Sequence, residues 1–171
     1  ANGLPALVIC PNSVKRVWEN EAKRWVPEAN VYVIGGGAVQ RKKIIDQALA
    51  DPKALVVINY EGLKTHSRLA PYGSVRLKRC KECGGDDNPI VKPAQCHVHK
   101  KELNDTNWIR TIVIDEAHRL KDPKSQQTRA VWAVCHDPSV VRRIAMTGTP
   151  IANHIGDLWA IMHAIARDEY P

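Results

Sequence analysis

No apolar run in this chain approaches the length of a membrane span, and residues 1–10 lack a basic region ahead of an apolar stretch. A spanning helix needs about 20 apolar residues in a row and a secretory signal needs that charged start, so neither is indicated. The expectation is a soluble protein that is not secreted. There is no internal repeat and no low-complexity segment. Cysteines number five, an odd count that argues against a disulfide framework in a chain without a signal. Cys10 and Cys135 stand in apolar stretches, Leu-Val-Ile-Cys and Val-Trp-Ala-Val-Cys, and read as buried small side chains. The opening Ala-Asn-Gly-Leu-Pro runs directly into a strand, as in a chain cut from something larger.

What is present suits one globular domain: 171 residues, 44% hydrophobic and 25% charged. Net charge is +7, with basic side chains clustered at Lys15-Arg16, Lys23-Arg24, Arg41-Lys42-Lys43, Arg76 to Lys81, Lys100-Lys101 and Arg142-Arg143. Such an excess is compatible with a polyanion partner, and equally with solvated helix faces.

Residues 6–10 form a continuous apolar run that suits a strand covered on both faces. Pro11-Asn12-Ser13 stops it, and Val14, Val17, Trp18, Ala22 and Trp25 then recur at helical spacing until Pro27. A strand at 31–34 enters Gly35-Gly36-Gly37, read as a turn. Residues 38–50 read as a helix with Val39, Ile44, Ile45, Ala48 and Leu49 as its apolar side. A covered strand at 54–58 and a short helix at 60–69 follow. The pattern breaks over 76–104 and resumes with a strand at 112–115, a helix at 125–135, a strand at 143–147 and a helix at about 155–166. Alternating strands and helices with short connections predict an α/β fold, a parallel sheet with helices on both faces.

The break has its own chemistry. Cys80-Lys-Glu-Cys83 and Cys96-His-Val-His99 are two ligand pairs separated by 12 residues. Each pair sets two ligands on one turn, and two turns close a tetrahedron around Zn²⁺. The expected set is Cys80, Cys83, Cys96 and His99, with His97 the competitor for the fourth place. So few apolar residues fold only if a metal supplies the energy. The alternative is a redox Cys-x-x-Cys in a disordered loop. With four protein ligands and none left for water, the zinc is structural.

Residues 111–118 read Thr-Ile-Val-Ile-Asp-Glu-Ala-His and residues 146–150 read Met-Thr-Gly-Thr-Pro. A buried strand that runs into Asp115-Glu116 delivers two carboxylates to its carboxyl end, the edge where open α/β sheets bind ligands. Nucleotide hydrolysis needs such a pair, one to hold Mg²⁺ directly or through its waters and one to orient and deprotonate the attacking water. Gly148 allows a tight turn, and Thr147 and Thr149 offer hydroxyls to the carboxylates or a neighbouring loop.

At these residues the chain resembles the first RecA-like lobe of the superfamily-two helicases, in their Swi/Snf-like branch. Leu7-Val-Ile-Cys-Pro-Asn-Ser-Val14 with Trp18 and Trp25-Val-Pro27 resembles motif Ia, and Val56-Val-Ile-Asn-Tyr-Glu61 with Leu63 resembles motif Ib. Asp115-Glu-Ala-His118, a DEAH box, and Arg119 to Ser125 resemble motif II. Thr147-Gly-Thr-Pro-Ile-Ala-Asn153 with Leu158-Trp159 resembles motif III, with Ala152 where the family usually has Gln. The zinc insertion is outside the common pattern. It is similar to an arrangement in helicase-like proteins of bacteria and their viruses, which implies a place in the cytoplasm or nucleoid.

The resemblance implies that Asp115 coordinates Mg²⁺ through water, Glu116 activates the hydrolytic water, and His118 links the ATP site to motif III. It implies that Thr147 and Thr149 couple hydrolysis to lobe movement, with Gly148 between them as part of the same catalytic motif. Pro11, Asn12, Ser13 and Lys15 would meet the phosphates of one DNA strand, with Asn59, Tyr60 and Glu61 nearby. Ser13 as a plain helix cap is the competing assignment. Tyr60 and Trp18 read as packing residues rather than platforms for bases. Binding to DNA would be sequence-independent and salt-sensitive.

No Gly-Lys-Thr or Gly-Lys-Ser occurs. The family's phosphate loop is expected just upstream of Ala1, and its second RecA-like lobe, with an arginine finger, beyond Pro171. The chain alone is therefore expected to bind ATP poorly and not to turn it over. Two other functions compete: a zinc-stabilised module that docks nucleic acid or protein, and an RNA helicase of the DEAD/DEAH type. The latter usually carries Ser-Ala-Thr where this chain has Thr147-Gly148-Thr149.

Overall fold

The structure, a computed structural model, describes residues 3–66, 108–151 and 156–170. The 76–104 stretch with Cys80, Cys83, Cys96 and His99 lies outside the described residues, as do Ala152 and Asn153.

Five strands make one sheet: β1 (Ala6–Cys10), β2 (Asn30–Val33), β3 (Ala54–Asn59), β4 (Thr111–Asp115) and β5 (Arg142–Met146), in the order β2-β3-β1-β4-β5. Every pairing is parallel. The apolar runs account for the two central strands. All of β1 and the first five residues of β3 are buried, as strands covered on both faces require.

Helices cover both faces. On one, α1 (Lys15–Trp25) lays Trp18 and Ala22 against Ala6, Val8, Cys10, Leu55 and Val57. On the other, Leu7, Ile9, Val56, Ile58, Ile112 and Ile114 meet α2 (Ala38–Leu49), α3 (Tyr60–His66), α4 (Gln126–Cys135) and α5 (Gly156–Ile165). Each fully buried Leu or Ile in that layer contributes about 1.5–3 kcal/mol. Cys10 and Cys135 are buried free thiols.

Two predicted stripes prove narrower. Val17 is 55% exposed, Trp25 69% and Val39 87%. α1 packs through Trp18 and Ala22, with Val14 just ahead of it; Val17 falls to one side of that line, and Trp25 is the last residue of the helix. Trp25 there donates its indole N–H to Glu21 (2.7 Å) and lies under the Arg24 guanidinium. β5 ends the sheet order, and its Ile144 and Met146 are 45% and 39% exposed.

The seam between α4 and α5 is aromatic. Trp132 donates its indole N–H to the Ala160 carbonyl (3.0 Å), packs edge-on to Trp159, and meets the His163 ring. His136 Nε2–H donates to the His163 carbonyl (2.8 Å). Burial holds the His136 pKa below its ordinary 6.5, and the nearby charges of His163, Arg167 and Arg143 push the same way. The folded state therefore favours the neutral ring, and the unfolded chain takes up the proton first. The resulting stability is complete above pH 6.5 and declines as the pH falls below it. His136→Gln, which keeps an N–H for the carbonyl, flattens that part of a plot of melting temperature against pH.

Candidate nucleotide site at the carboxyl edge of the sheet

Parallel register sets the site. Cys10 pairs with Asn59 and Asp115 with Met146, so the strands end on one edge. Pro11–Lys15, Tyr60–Glu61, Glu116–Arg119 and Thr147–Thr149 all leave from that edge.

The turn after β4 is the strained point. Glu116 has φ 53° and ψ 50°, the only non-glycine residue with positive φ among the described residues. A side chain in this left-handed region costs about 1–2 kcal/mol, a kind of strain that gathers at functional sites. Buried Ala117 and Leu120 pin the 3-10 turn Ala117–Leu120 that follows. The Glu116 side chain stays 48% exposed. His118 points back across the edge, its Nδ1 lying 3.2 Å from Glu116 Oε2 and 3.1 Å from Thr147 Oγ1. Thr147 Oγ1 also accepts the Thr149 N–H (3.2 Å). One imidazole thus joins the acidic turn to the threonine turn.

Asp115 is half-buried and held from two sides. Its Oδ2 accepts the indole N–H of Trp18 at 2.8 Å, and its backbone carbonyl accepts the Tyr60 hydroxyl at 2.6 Å. Burial raises the Tyr60 pKa, so the phenol remains a donor. Arg119 lies 5.3 Å over the Tyr60 ring and 3.6 Å from Glu61. Beneath the site, burial and then the Asp115 charge push the Cys10 thiol up to about 12, which leaves it an unreactive thiol.

Three expected roles meet a different geometry. Tyr60 is fully buried with its hydroxyl on the Asp115 carbonyl, so its side chain does not reach a phosphate. Lys15 donates its ammonium to the Ile34 carbonyl (2.9 Å). Gly148 lacks a positive φ, and an added Cβ there would meet nothing within 4 Å; Gly36, at φ 80°, is the glycine that a turn requires. Asn12 and Ser13 are exposed, and no side chain caps α1, so Ser13 is not a cap. Asn59 donates to exposed Glu61 (2.8 Å). Trp18 meets Asp115 although the partners are 97 residues apart and nothing local in the sequence announces the pair.

The donors at this edge are carboxylate and hydroxyl oxygens, the type Mg²⁺ takes. Among the described residues no group of three or more His, Cys, Asp or Glu could hold a metal ion. Among the described residues no helix is long and apolar enough to cross a membrane.

The family described as SNF2-related domain matches residues 2–171. Over 158 residues, 92% of this chain, the sequence is 29% identical to the rice (Oryza sativa subsp. japonica) DNA excision repair protein CSB. Over 165 residues, 96% of the chain, it is 26% identical to the yeast (Saccharomyces cerevisiae) ISWI chromatin-remodeling complex ATPase ISW1. A solved Sulfolobus solfataricus SWI2/SNF2 ATPase core in complex with dsDNA aligns with 96% of the chain at 28% identity and a TM-score of 0.58. The chain spans 13% and 11% of those two relatives and 25% of the solved chain.

Proposed function

The chain belongs to the SNF2-related domain family, and on that premise we propose that it is the first RecA-like lobe of a DNA-dependent ATPase motor, a helicase or double-strand translocase. The observation that carries the proposal is the His118 bridge, 3.2 Å to the Glu116 carboxylate and 3.1 Å to the Thr147 hydroxyl. Glu116, half exposed at the strand end, is the base that orients a water and takes its proton. His118 carries any displacement of that base to Thr147, Gly148 and Thr149. Asp115 would hold Mg²⁺, and when bound the ion would supply charge neutralisation at the ATP phosphates.

Phosphate-cradling backbone is supplied by a segment outside these residues, and a second lobe closes over the nucleotide. The uncovered Ile144 and Met146 on the last strand of the sheet support a further element packing there. Pro11, Asn12 and Ser13 meet DNA phosphates, with Lys15, Asn59 and Glu61 alongside; exposed Asn12 and Ser13, unused as caps, support this. In the full-length protein, duplex DNA stimulates ATP hydrolysis more than single-stranded DNA or RNA does, and the stimulation weakens steeply with salt. Stimulation by RNA alone would favour the RNA helicase, and no hydrolysis with any of the three would favour a zinc-stabilised binding module without ATPase activity of its own.

Cys80, Cys83, Cys96 and His99, with His97 the alternative fourth ligand, form a structural zinc site over 76–104 that docks DNA or a protein. The insertion also supports a bacterial or phage source and action in the cytoplasm or nucleoid, although the relatives named above come from rice and yeast. Replacing Cys80 and Cys83 with Ser releases the zinc measured by elemental analysis and spares the sheet. Retained zinc would refute the ligand set.

A further inference from the structure

α1 offers one side chain to the acidic turn, and it is an aromatic donor rather than a charged one. The Trp18 ring packs with Val14, Ala22 and Val113 against the sheet, and its N–H lies 2.8 Å from Asp115 Oδ2. An indole nitrogen donates and never accepts, so this contact holds the carboxylate in one orientation. An aspartate held only by its own torsions turns freely at χ2, which is broad for a carboxylate. With Oδ2 taken by Trp18, Oδ1 is the oxygen left to serve a ligand at the edge. Tyr60 holds the same residue by its backbone carbonyl, so backbone and side chain are fixed by separate donors from separate elements.

We propose that Trp18 is a positioning residue for the nucleotide site: through the Asp115 carboxylate it sets how tightly the divalent cation is held. The inference rests on Asp115 serving Mg-ATP. Partners that orient a metal-holding carboxylate are typically worth about 10–100-fold in metal affinity or activity.

The test uses the full-length protein and the variants Trp18→Phe, Asp115→Ala and Asp115→Asn. Trp18→Phe keeps an aromatic ring in the cluster and removes the N–H. It raises the Mg²⁺ concentration for half-maximal hydrolysis at least about tenfold, and most of the lost rate returns at saturating Mg²⁺. The same factor appears in binding of Mn²⁺ with ADP, read by electron paramagnetic resonance without turnover. A variant that folds incompletely loses amplitude in both assays but keeps its midpoints, so midpoints alone are decisive. With tryptophan indole nitrogens labelled, the signal lost in Trp18→Phe moves upfield in Asp115→Ala. Midpoints equal to the parent's, or an indole signal indifferent to Asp115, would reduce the contact to packing and overturn the proposal. Asp115→Asn separates the two levels. If it still hydrolyses ATP at the parent's rate, the assignment of Asp115 fails and Trp18 falls with it. If it is inactive while Trp18→Phe keeps the parent's midpoints, only the Trp18 inference fails.

Discussion

Glu116→Gln in the full-length protein lowers duplex-stimulated ATP turnover by about 10²–10⁴-fold, the range of a general base, with little change in affinity for ATP or duplex. Glutamine keeps the shape and an oxygen for His118, so the 3.2 Å contact and the turn survive. What is lost is the capacity to take a proton. Steady-state hydrolysis with and without duplex, beside equilibrium binding, reads both halves. The same position has an opposite effect on stability. Glu116→Gly removes the side chain from a left-handed backbone at φ 53° and raises stability by about 1 kcal/mol in chemical denaturation. An inactive but more stable variant is the signature of strain kept for chemistry.

Tyr60→Ala destabilises the lobe by about 3–5 kcal/mol, the usual cost of truncating a buried aromatic. Tyr60→Phe keeps the ring and loses the hydroxyl bonded to the Asp115 carbonyl, a change of about 1–3 kcal/mol. Denaturant midpoints measure both. Duplex affinity of Tyr60→Phe stays at the parent's value, because the hydroxyl faces the acidic turn and not solvent. A phosphate-contacting tyrosine would show the reverse, with lower DNA affinity and unchanged stability.

Tyr60 also marks how far a sequence carries the argument. The strands were legible because burial on both faces writes itself as unbroken apolar runs, as in Ala6–Cys10 and Ala54–Asn59. Their ends fall within a residue or so of expectation, and parallel pairing then follows from the alternation of strands and helices. Gathering Asp115, Glu116, His118 and Thr147 on one edge was legible for the same reason, since each follows a strand. Side-chain direction was not. Val39 and Trp25 match a helical period, yet only packing decides which side of a wide stripe meets the sheet. The left-handed backbone of Glu116 has no signature, because a glutamate is not the residue such a turn selects. Trp18 and Asp115 are 97 residues apart in sequence and are brought together by the pairing of β4 with β1.

The central claim is that hydrolysis at the Asp115–Glu116 edge is converted into movement along duplex DNA. Displacement of a short third strand from a DNA triplex tests it most directly. The full-length protein releases the third strand in an ATP-dependent manner, and Glu116→Gln, bound to the same DNA, does not. Release at an equal rate by Glu116→Gln, or by the parent without ATP, would contradict the account.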